Sequence, residues 1–356
     1  MQLTRRKLFK LSGGALCVAA TPFVRLPTPV MANQPDPIII PARRPFGRAI
    51  QANLAVREGP SVKAQLVRLL KWNEVIAISG QTQGDGPTVY NPIWFKTIDG
   101  FVHSANIQPS ENSLNAPIID VYGNGFWGEL TVPTSEARSK PDPKASVLHR
   151  YYFGCTFKVN ESVKDTLGVI WYRVSEGNGG AGFFVRAEHV RPITSEEFTP
   201  LSPEIGLENK HIEVDLKNQT VNAYEGDKSV FTARVATGAR FRMADGSYRN
   251  FGTIPGDHRI FLKIAGQRMT GGTAGDRFYY DLPGISWVSY FTASGIAFHG
   301  TYWHNDWGAP RSHGCVNMLP EDAKWVFRWS MPVVPESVRG FTRTAKLDQG
   351  SPIKVF

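Results

Sequence analysis

The sequence predicts a mainly β protein made of several domains. Its 356 residues exceed the ~100–200 residues of a typical domain, so two or three domains are expected. Short runs of β-branched and aromatic residues alternate with turns, in keeping with 34 glycines and 25 prolines. Only Pro320–Trp329 has the features of a helix, with proline at its start and Glu321 and Asp322 in its first turn. The hydrophobic content of 42% excludes a disordered chain.

Residues 1–32 predict an export signal. They contain five basic and no acidic residues, and an apolar stretch over 11–24 is followed by a processing site. The run 4–10, with Arg5 beside Arg6, resembles a twin-arginine export signal; an ordinary secretion signal is the alternative. We therefore expect an exported protein of the cell wall, cell envelope or periplasm, either soluble or tethered by its signal. No stretch reaches the ~18–20 apolar residues of a membrane-spanning helix, so no integral membrane segment is expected.

The net charge of +9 does not indicate nucleic acid as a partner. The five basic residues of the signal supply more than half of that charge, and the rest of the chain has no run of Lys or Arg. Residues 33–45 contain four prolines and are predicted to form an extended linker. Beyond the signal the cysteines are Cys155 and Cys315, so a disulfide framework is not expected.

Two segments, 46–110 and 120–196, present similar features in the same order. The first opens on Val-Arg-Glu-Gly-Pro-Ser at 56–61. Both close on Trp followed by an aromatic residue and then by Gly-Phe, at 94–102 and 171–185. These residues resemble bacterial SH3-like domains. The resemblance implies two small antiparallel barrels that bind cell-wall peptides or act as spacers.

Residues 207–356 are predicted to form a further β domain. His211–Leu216 alternates apolar and polar side chains, and the strand-like runs 221–224 and 230–237 follow after short polar turns. This pattern is typical of an antiparallel meander with one buried face.

The chemistry is expected at Cys315 and His299. A thiol attacks as the thiolate, which a neighbouring base or backbone dipoles must favour. His299 ends an apolar, strand-like run, and Cys315 follows 16 residues later, after a loop rich in Gly, Asn, Asp and Pro. We therefore predict Cys315 as the nucleophile and His299 as the general base and proton donor. A zinc site is the alternative, but the spacing matches no compact zinc pattern, and no metal is expected.

The residues around the cysteine complete this prediction. The turn at His313 and Gly314 directs backbone N–H groups to one place, as an oxyanion site requires. Ser312 and Asn317 are expected to support this loop through hydrogen bonds, and His304 is interpreted as a polar loop residue. No cofactor is expected, because a thiol, an imidazole and backbone donors suffice.

The histidine, the loop and the run Ser-His-Gly-Cys-Val-Asn within 299–317 resemble the signature of the YkuD-type L,D-transpeptidase catalytic domain. Further landmarks are Ile-x-Val-x-Leu-x-x-Gln at 212–219 and Thr253-x-x-Gly256. The resemblance implies a β-sandwich over 207–356 with a short helix after the cysteine. It also implies that the thiol attacks the third residue of a tetrapeptide stem and that D-alanine leaves. The side-chain amine of a diamino acid in a second stem then resolves the thioester, which gives a 3→3 peptidoglycan cross-link.

The expected partners are therefore peptidoglycan stem peptides, and the protein is expected to be a monomer. Hydrolysis of the same thioester makes an L,D-carboxypeptidase or another cysteine peptidase the alternative, and a non-catalytic peptidoglycan-binding protein is the next. Aromatic residues near the motif are expected to wall the substrate cleft: Tyr302, Trp303, Trp287 and Tyr290.

Overall fold

The protein has the mainly β fold that the sequence predicts, with several sheets and one short helix among its described residues. The computed structural model describes residues 39–176, 182–335, 340–344 and 346–356. The predicted export signal, 1–32, and the first residues of the predicted linker lie outside this part of the chain. Of the helices in the described residues, none is long and apolar enough to cross a membrane.

The N-terminal region, residues 46–110, has a hydrophobic core of its own. Its strands are β1 (Phe46–Ala49), β2 (Leu54–Arg57), β3 (Leu66–Leu70), β4 (Val75–Ala77), β5 (Gly80–Gln83), β6 (Ile93–Lys96), β7 (Phe101–His103) and β8 (Ile107–Ser110). They form two antiparallel sheets with the orders β4-β1-β8 and β3-β2-β7-β6-β5. The core joins Ala49, Leu54, Val56, Leu70, Ile76, Ile78, Phe95, Val102 and Ile107.

The middle region, residues 126–192, is an antiparallel sheet with the order β11-β10-β14-β13-β12-β9-β15. Its strands are β9 (Phe126–Leu130), β10 (Thr134–Arg138), β11 (Val147–Tyr152), β12 (Thr156–Lys164), β13 (Ile170–Ser175), β14 (Phe183–Arg186) and β15 (Val190–Pro192). The SH3-like identity of the first two regions and the domain boundaries stay predictions.

The C-terminal region, residues 207–356, contains two larger sheets, a hairpin and the helix. Its elements are β16 (Lys210–Asp215), β17 (Thr220–Glu225), β18 (Lys228–Arg234), β19 (Arg240–Arg242), β20 (Tyr248–Asn250), β21 (Gly256–Arg259), β22 (Leu262–Gly271), β23 (Tyr280–Tyr290), β24 (Ala297–Gly300), β25 (Val316–Met318), α1 (Pro320–Trp329), β26 (Phe341–Arg343) and β27 (Pro352–Val355). The sheet orders are β18-β17-β16-β27-β21 and β25-β24-β23-β22-β26, and β19 pairs with β20. The pairs β16–β27 and β24–β25 are parallel.

The middle and C-terminal regions share a hydrophobic core. Phe157 of β12 and Ile285 of β23 belong to the same buried cluster. The two backbones also approach closely, because a Cβ at Gly266 would lie 2.3 Å from the Thr156 carbonyl oxygen. Thr156 Oγ1 donates to the carbonyl of Ala265 at 2.5 Å.

The helix α1 has the bounds that the sequence predicts. Pro320 occupies its first turn, where a missing N–H costs no hydrogen bond. At its other end the buried Lys263 Nζ donates to the carbonyls of Phe327 at 2.6 Å and Ser330 at 2.7 Å, which satisfies groups that a helix terminus leaves free. The helix packs against β23 and β24, and so supports the strands that carry the site.

Candidate active site

The parallel pair β24–β25 brings the predicted catalytic residues together. His299 lies directly opposite Asn317 in this pair. Cys315 stands just before β25, two residues from Asn317, and alternate residues of a strand point to the same side of the sheet. The Asn317 amide and the imidazole therefore share one face, and Cys315 lies at the entry to the strand that carries Asn317.

His299 is buried, with 2% of its surface exposed, and both ring nitrogens are engaged. Nδ1 donates to the Gly300 carbonyl at 3.0 Å, and Nε2 accepts a hydrogen bond from Asn317 Nδ2 at 3.2 Å. A Cβ at Gly300 would lie 2.3 Å from Ser286 Oγ, so close packing against β23 requires glycine there. Burial lowers the pKa of His299 to about 4, against the opposing effect of the Gly300 hydrogen bond, and the ring is neutral at pH 7.

Cys315 is a free, partly exposed thiol. It donates a long hydrogen bond to the Gly295 carbonyl at 3.6 Å. The apolar surroundings of the sulfur raise the pKa of Cys315 to about 11, although the Ala297 N–H acts in the opposite direction. The thiol of Cys315 and the imidazole of His299 are therefore both neutral at pH 7.

The turn before the thiol is fixed by two hydroxyl groups. Gly314 has φ +123°, a conformation that favours glycine, and its N–H donates to Ser312 Oγ at 3.0 Å. Ser312 Oγ in turn donates to the Cys315 carbonyl. Thr253 Oγ1 donates to the Gly314 carbonyl at 2.7 Å, which gives the Thr-x-x-Gly landmark a role at the site. Ser312 thus makes loop hydrogen bonds, whereas the Asn317 side chain is directed to His299.

The side chain of His313 is held by aromatic rings. Its ring centroid lies 4.6 Å from that of Phe251 and 5.3 Å from that of Tyr280, and Phe241 and Phe278 complete the cluster. Burial, and then the positive charge of Arg249, lower the pKa of His313. His313 therefore anchors the turn within this cluster.

The four aromatic residues predicted to wall the cleft divide into two pairs. The Trp303 ring lies 5.6 Å from that of His299. Burial, and then the neighbouring Cys315, raise the pKa of Tyr290. Trp287 instead packs in the core against Phe198 and Phe327, and the buried Tyr302 ring packs on Tyr152. Trp287 and Tyr302 therefore lie in the core and not in the wall of a cleft as predicted. Aromatic side chains in apolar strands can point to either face, and the sequence does not show which.

His304, interpreted from the sequence as a polar loop residue, lies outside the strands and is buried. It is 7% exposed, and its Nε2 donates to Asn317 Oδ1 at 3.0 Å. Its Nδ1 accepts a hydrogen bond from the Asp306 N–H at 3.3 Å. Burial lowers the pKa of His304 to about 4. No local pattern marks this residue, since its role comes from the distant Asn317.

A cavity of about 920 Å³ opens beside the turn at 291–296, whose Gly295 carbonyl accepts the thiol hydrogen. Ile254, Phe291 and Ser294 are among the residues that line it.

Cys155 is buried and free, and donates to the Pro283 carbonyl at 3.7 Å. Among the residues that the structure describes, no group of three or more His, Cys, Asp or Glu side chains is arranged to hold a metal ion.

Comparisons with known proteins address the C-terminal region. The L,D-transpeptidase catalytic domain (YkuD) family matches residues 209–355. No curated protein sequence matches the chain.

The chain is also similar to solved structures. The Ldtfm-avibactam carbamoyl enzyme is 22% identical over 42% of this chain and 49% of that chain, with a TM-score of 0.29. An L,D-transpeptidase from Mycobacterium smegmatis is 17% identical over 62% of this chain and 77% of that chain, with a TM-score of 0.32. A Cys-to-Ser mutant of the Enterococcus faecium L,D-transpeptidase is 22% identical over 48% of this chain and 56% of that chain, with a TM-score of 0.30.

The chain thus spans about half of the first of these structures, 49% of its length. The family match carries the assignment, and it includes the strands β24 and β25 with the residues described above. Residues 209–355 are an L,D-transpeptidase catalytic domain of the YkuD type.

Proposed function

We propose that this chain is a cell-wall L,D-transpeptidase that forms 3→3 peptidoglycan cross-links through a thioester on Cys315. The observation that supports the proposal is the β24–β25 pair, in which the strand of His299 lies beside the strand that directly follows Cys315, within the matched domain. The domain's family supports peptidoglycan stem peptides as substrates. The reaction needs no metal or cofactor, since thiol, imidazole and backbone donors supply every group.

In the acylation step, His299 Nε2 takes the thiol proton while Sγ attacks the carbonyl carbon of the third stem residue. Nε2 has one lone pair, and at rest this lone pair accepts the hydrogen bond from the Asn317 amide. The amide must therefore release Nε2 when this nitrogen takes the thiol proton. The Gly314 N–H is engaged by Ser312, so we assign the stabilisation of the oxyanion to the N–H groups of His313 and Cys315. The C–N bond then breaks, and His299 returns its proton to the amine of the departing D-alanine.

In the second step, the amine of a diamino acid in another stem attacks the thioester carbonyl. His299 takes a proton from that amine, the C–S bond breaks, and the thiol regains its proton. In the first step the thiol needs this base, because burial raises the pKa of Cys315 and so disfavours a preformed thiolate.

Water in place of the amine would make the same site an L,D-carboxypeptidase. Mass spectrometry of the products from a disaccharide-tetrapeptide distinguishes the two reactions. We expect dimers that lack one D-alanine from the wild-type chain and none from Cys315→Ala. Cys155→Ala is the matched control, because this thiol is buried and distant in sequence, and it should retain the activity. Monomers shortened by D-alanine would favour hydrolysis, and an active, folded Cys315→Ala protein would overturn the proposal.

We further propose that the chain is exported, on the basis of residues 1–32, and acts as a monomer at the cell envelope. The regions 46–110 and 120–196 would then serve as SH3-like wall-binding or spacer modules. Replacing Arg5 and Arg6 with lysine should keep the chain in the cytoplasm, as cell fractionation would show. An unchanged distribution would exclude the twin-arginine route.

A further inference from the structure

We propose that the N-terminal region positions the active-site histidine, because it holds Asp306 and thereby fixes His299. The inference rests on the proposed function of Cys315 and His299 as nucleophile and base. The hydrogen-bonded path consists of Tyr90 and Asn91, then Asp306, His304, Asn317 and His299.

The carboxylate of Asp306 forms the first part of this path. It is 2% exposed, and a carboxylate at that depth requires donors. Asn91 Nδ2 donates to Oδ1 at 2.7 Å, and the Tyr90 hydroxyl donates to Oδ2 at 3.2 Å. Arg311 forms an ion pair with the same group. Two of these partners thus come from the N-terminal region.

Asn91 is itself fixed by its surroundings. Its Oδ1 accepts hydrogen bonds from the Ile93 N–H at 3.2 Å and from Ser104 Oγ at 3.1 Å. Its carbonyl lies 2.8 Å from His103 Nε2. The amide is therefore oriented before it meets Asp306, and its NH₂ group is the part that faces the carboxylate.

The neighbouring part of the active-site loop is docked on the same region. The Asn305 N–H donates to the Ala105 carbonyl at 2.8 Å. Arg48 Nη2 donates to the Tyr302 carbonyl at 2.9 Å. The loop between His299 and Cys315 therefore depends on residues 46–110 for its conformation.

The second part of the path fixes one arrangement of protons. The Asp306 N–H donates to His304 Nδ1, so the His304 proton resides on Nε2 and is donated to Asn317 Oδ1. The Asn317 amide must then turn its NH₂ group to His299 Nε2. This leaves Nε2 of His299 with the lone pair that a base needs, and its Nδ1 with the proton.

Loss of the His304 donor would remove this constraint. The Asn317 amide could then reverse and present its oxygen to His299, which favours a proton on Nε2. A ring in that state has no lone pair towards the thiol, and wrong-tautomer histidines are poor bases. Asn91, Tyr90, Asp306 and His304 are thus positioning residues for His299.

The test uses the full chain and two readouts that need no stem peptide. The first is the alkylation rate of Cys315 by iodoacetamide, followed for its own peptide by mass spectrometry. The second is the pair of ¹⁵N resonances of His299, which shows which ring nitrogen carries the proton. We expect His304→Leu to move the proton to Nε2 and to slow alkylation about 10-fold, part of the ~10²–10⁴ that a general base supplies. His304→Gln restores an N–H donor and should stay within about twofold of the wild type.

The N-terminal end of the path is tested by Asn91→Ala with Thr82→Val as control. Both positions are buried in the same region, but within the described part of the chain the Thr82 hydroxyl donates only to the adjacent Gln83 carbonyl. Asn91→Ala should slow alkylation about three- to tenfold, since it leaves Oδ1 of Asp306 without its amide donor, and Thr82→Val should not.

Equal rates for Asn91→Ala and Thr82→Val, or a wild-type tautomer in His304→Leu, would overturn the proposal. Stem-peptide turnover is measured separately. If the wild type turns over no stem peptide while His304→Leu changes the tautomer and the rate, the proposed function fails and the positioning role stands. If the wild type turns over stem peptide and the variants do so at the same rate, the proposed function stands and the positioning role fails.

Discussion

The N-terminal and middle regions are joined to the C-terminal region by different interactions. The middle region shares its apolar core with β22–β24, and a Cβ at Gly266 would meet the backbone of β12. The N-terminal region keeps a separate core and reaches the active-site loop through polar groups, chiefly Arg48 and Asn91.

This difference predicts two kinds of coupling. A continuous apolar core makes two regions unfold together, because each buries surface that the other would expose. Polar contacts to one loop add little apolar burial, but they fix the orientation of the groups that they hold. The middle region should therefore govern stability, and the N-terminal region should govern active-site geometry.

The largest effect is expected from truncating buried phenylalanines in the two cores. Phe157→Ala in the shared core should lower the free energy of unfolding by ~3–5 kcal/mol. Hydrogen exchange should then accelerate in β22 and β23 as well as in β12. Phe95→Ala is the matched change in the separate core and should accelerate exchange within 46–110 and the loop that it holds, while β22 and β23 stay protected. Equal acceleration of β22 by both variants would contradict the comparison.

The sequence predicts the site where its residues are close along the chain or share a motif. His299, Gly300 and Cys315 lie within 17 positions, and the glycine after the base indicates a backbone carbonyl as the orienting group. The helix 320–329 is predicted for the same reason, since proline and acidic residues mark its start locally.

The sequence cannot predict the contacts that depend on how regions dock. Asn91 and Asp306 are 215 positions apart, and no periodicity relates them. The sequence indicates only a polar loop residue at His304, because its burial comes from the N-terminal region and β25 rather than from its neighbours in sequence. Trp287 has φ +56° in the middle of β23, a conformation that no pattern of side chains indicates.

A smaller effect is expected from Arg48, the buried side chain between the N-terminal region and the loop. It donates to Gln108 Oε1 at 2.7 Å and to the Tyr302 carbonyl at 2.9 Å, and it lies 3.8 Å from the Tyr152 ring. Arg48→Met keeps the length of the side chain but leaves both acceptors without this donor. We expect a loss of ~2–3 kcal/mol of unfolding free energy, which is the lower part of the range for two acceptors at ~1–3 kcal/mol each, measured by urea unfolding.

Arg57→Met is the control for this change. Arg57 belongs to the same region and donates to the Ala64 carbonyl at 2.7 Å, within the region itself. We expect a loss below ~1 kcal/mol and no change in the alkylation rate of Cys315. If Arg57→Met slowed alkylation as much as Arg48→Met, the loop contact would not be the cause.

The smallest effect is expected from the protonation of His304 by acid. The pKa of His304 is lowered to about 4 by burial, whereas an unfolded histidine has a pKa of ~6.5. Between these values the unfolded chain binds a proton at His304 that the folded chain does not. The contribution of the neutral His304 to the free energy of unfolding is therefore complete above pH ~6.5 and is lost as the pH falls towards 4. At pH 5 the loss is ~2 kcal/mol. His304→Gln does not titrate, and urea unfolding at pH 7 and pH 5 should show a loss smaller by that amount.

Thr82→Val, which changes a buried hydroxyl of the N-terminal region and no titratable group, should keep the wild-type pH dependence and serves as the control. A wild-type pH dependence in His304→Gln as well would contradict the prediction. Protonation of His304 costs free energy because Nδ1 now accepts a hydrogen bond from the Asp306 N–H. A charged ring would carry an N–H at Nδ1, which would face the Asp306 N–H. Protonation of His304 should therefore break its contact with the Asp306 N–H, and the part of the pH dependence that His304→Gln removes measures the cost of losing it.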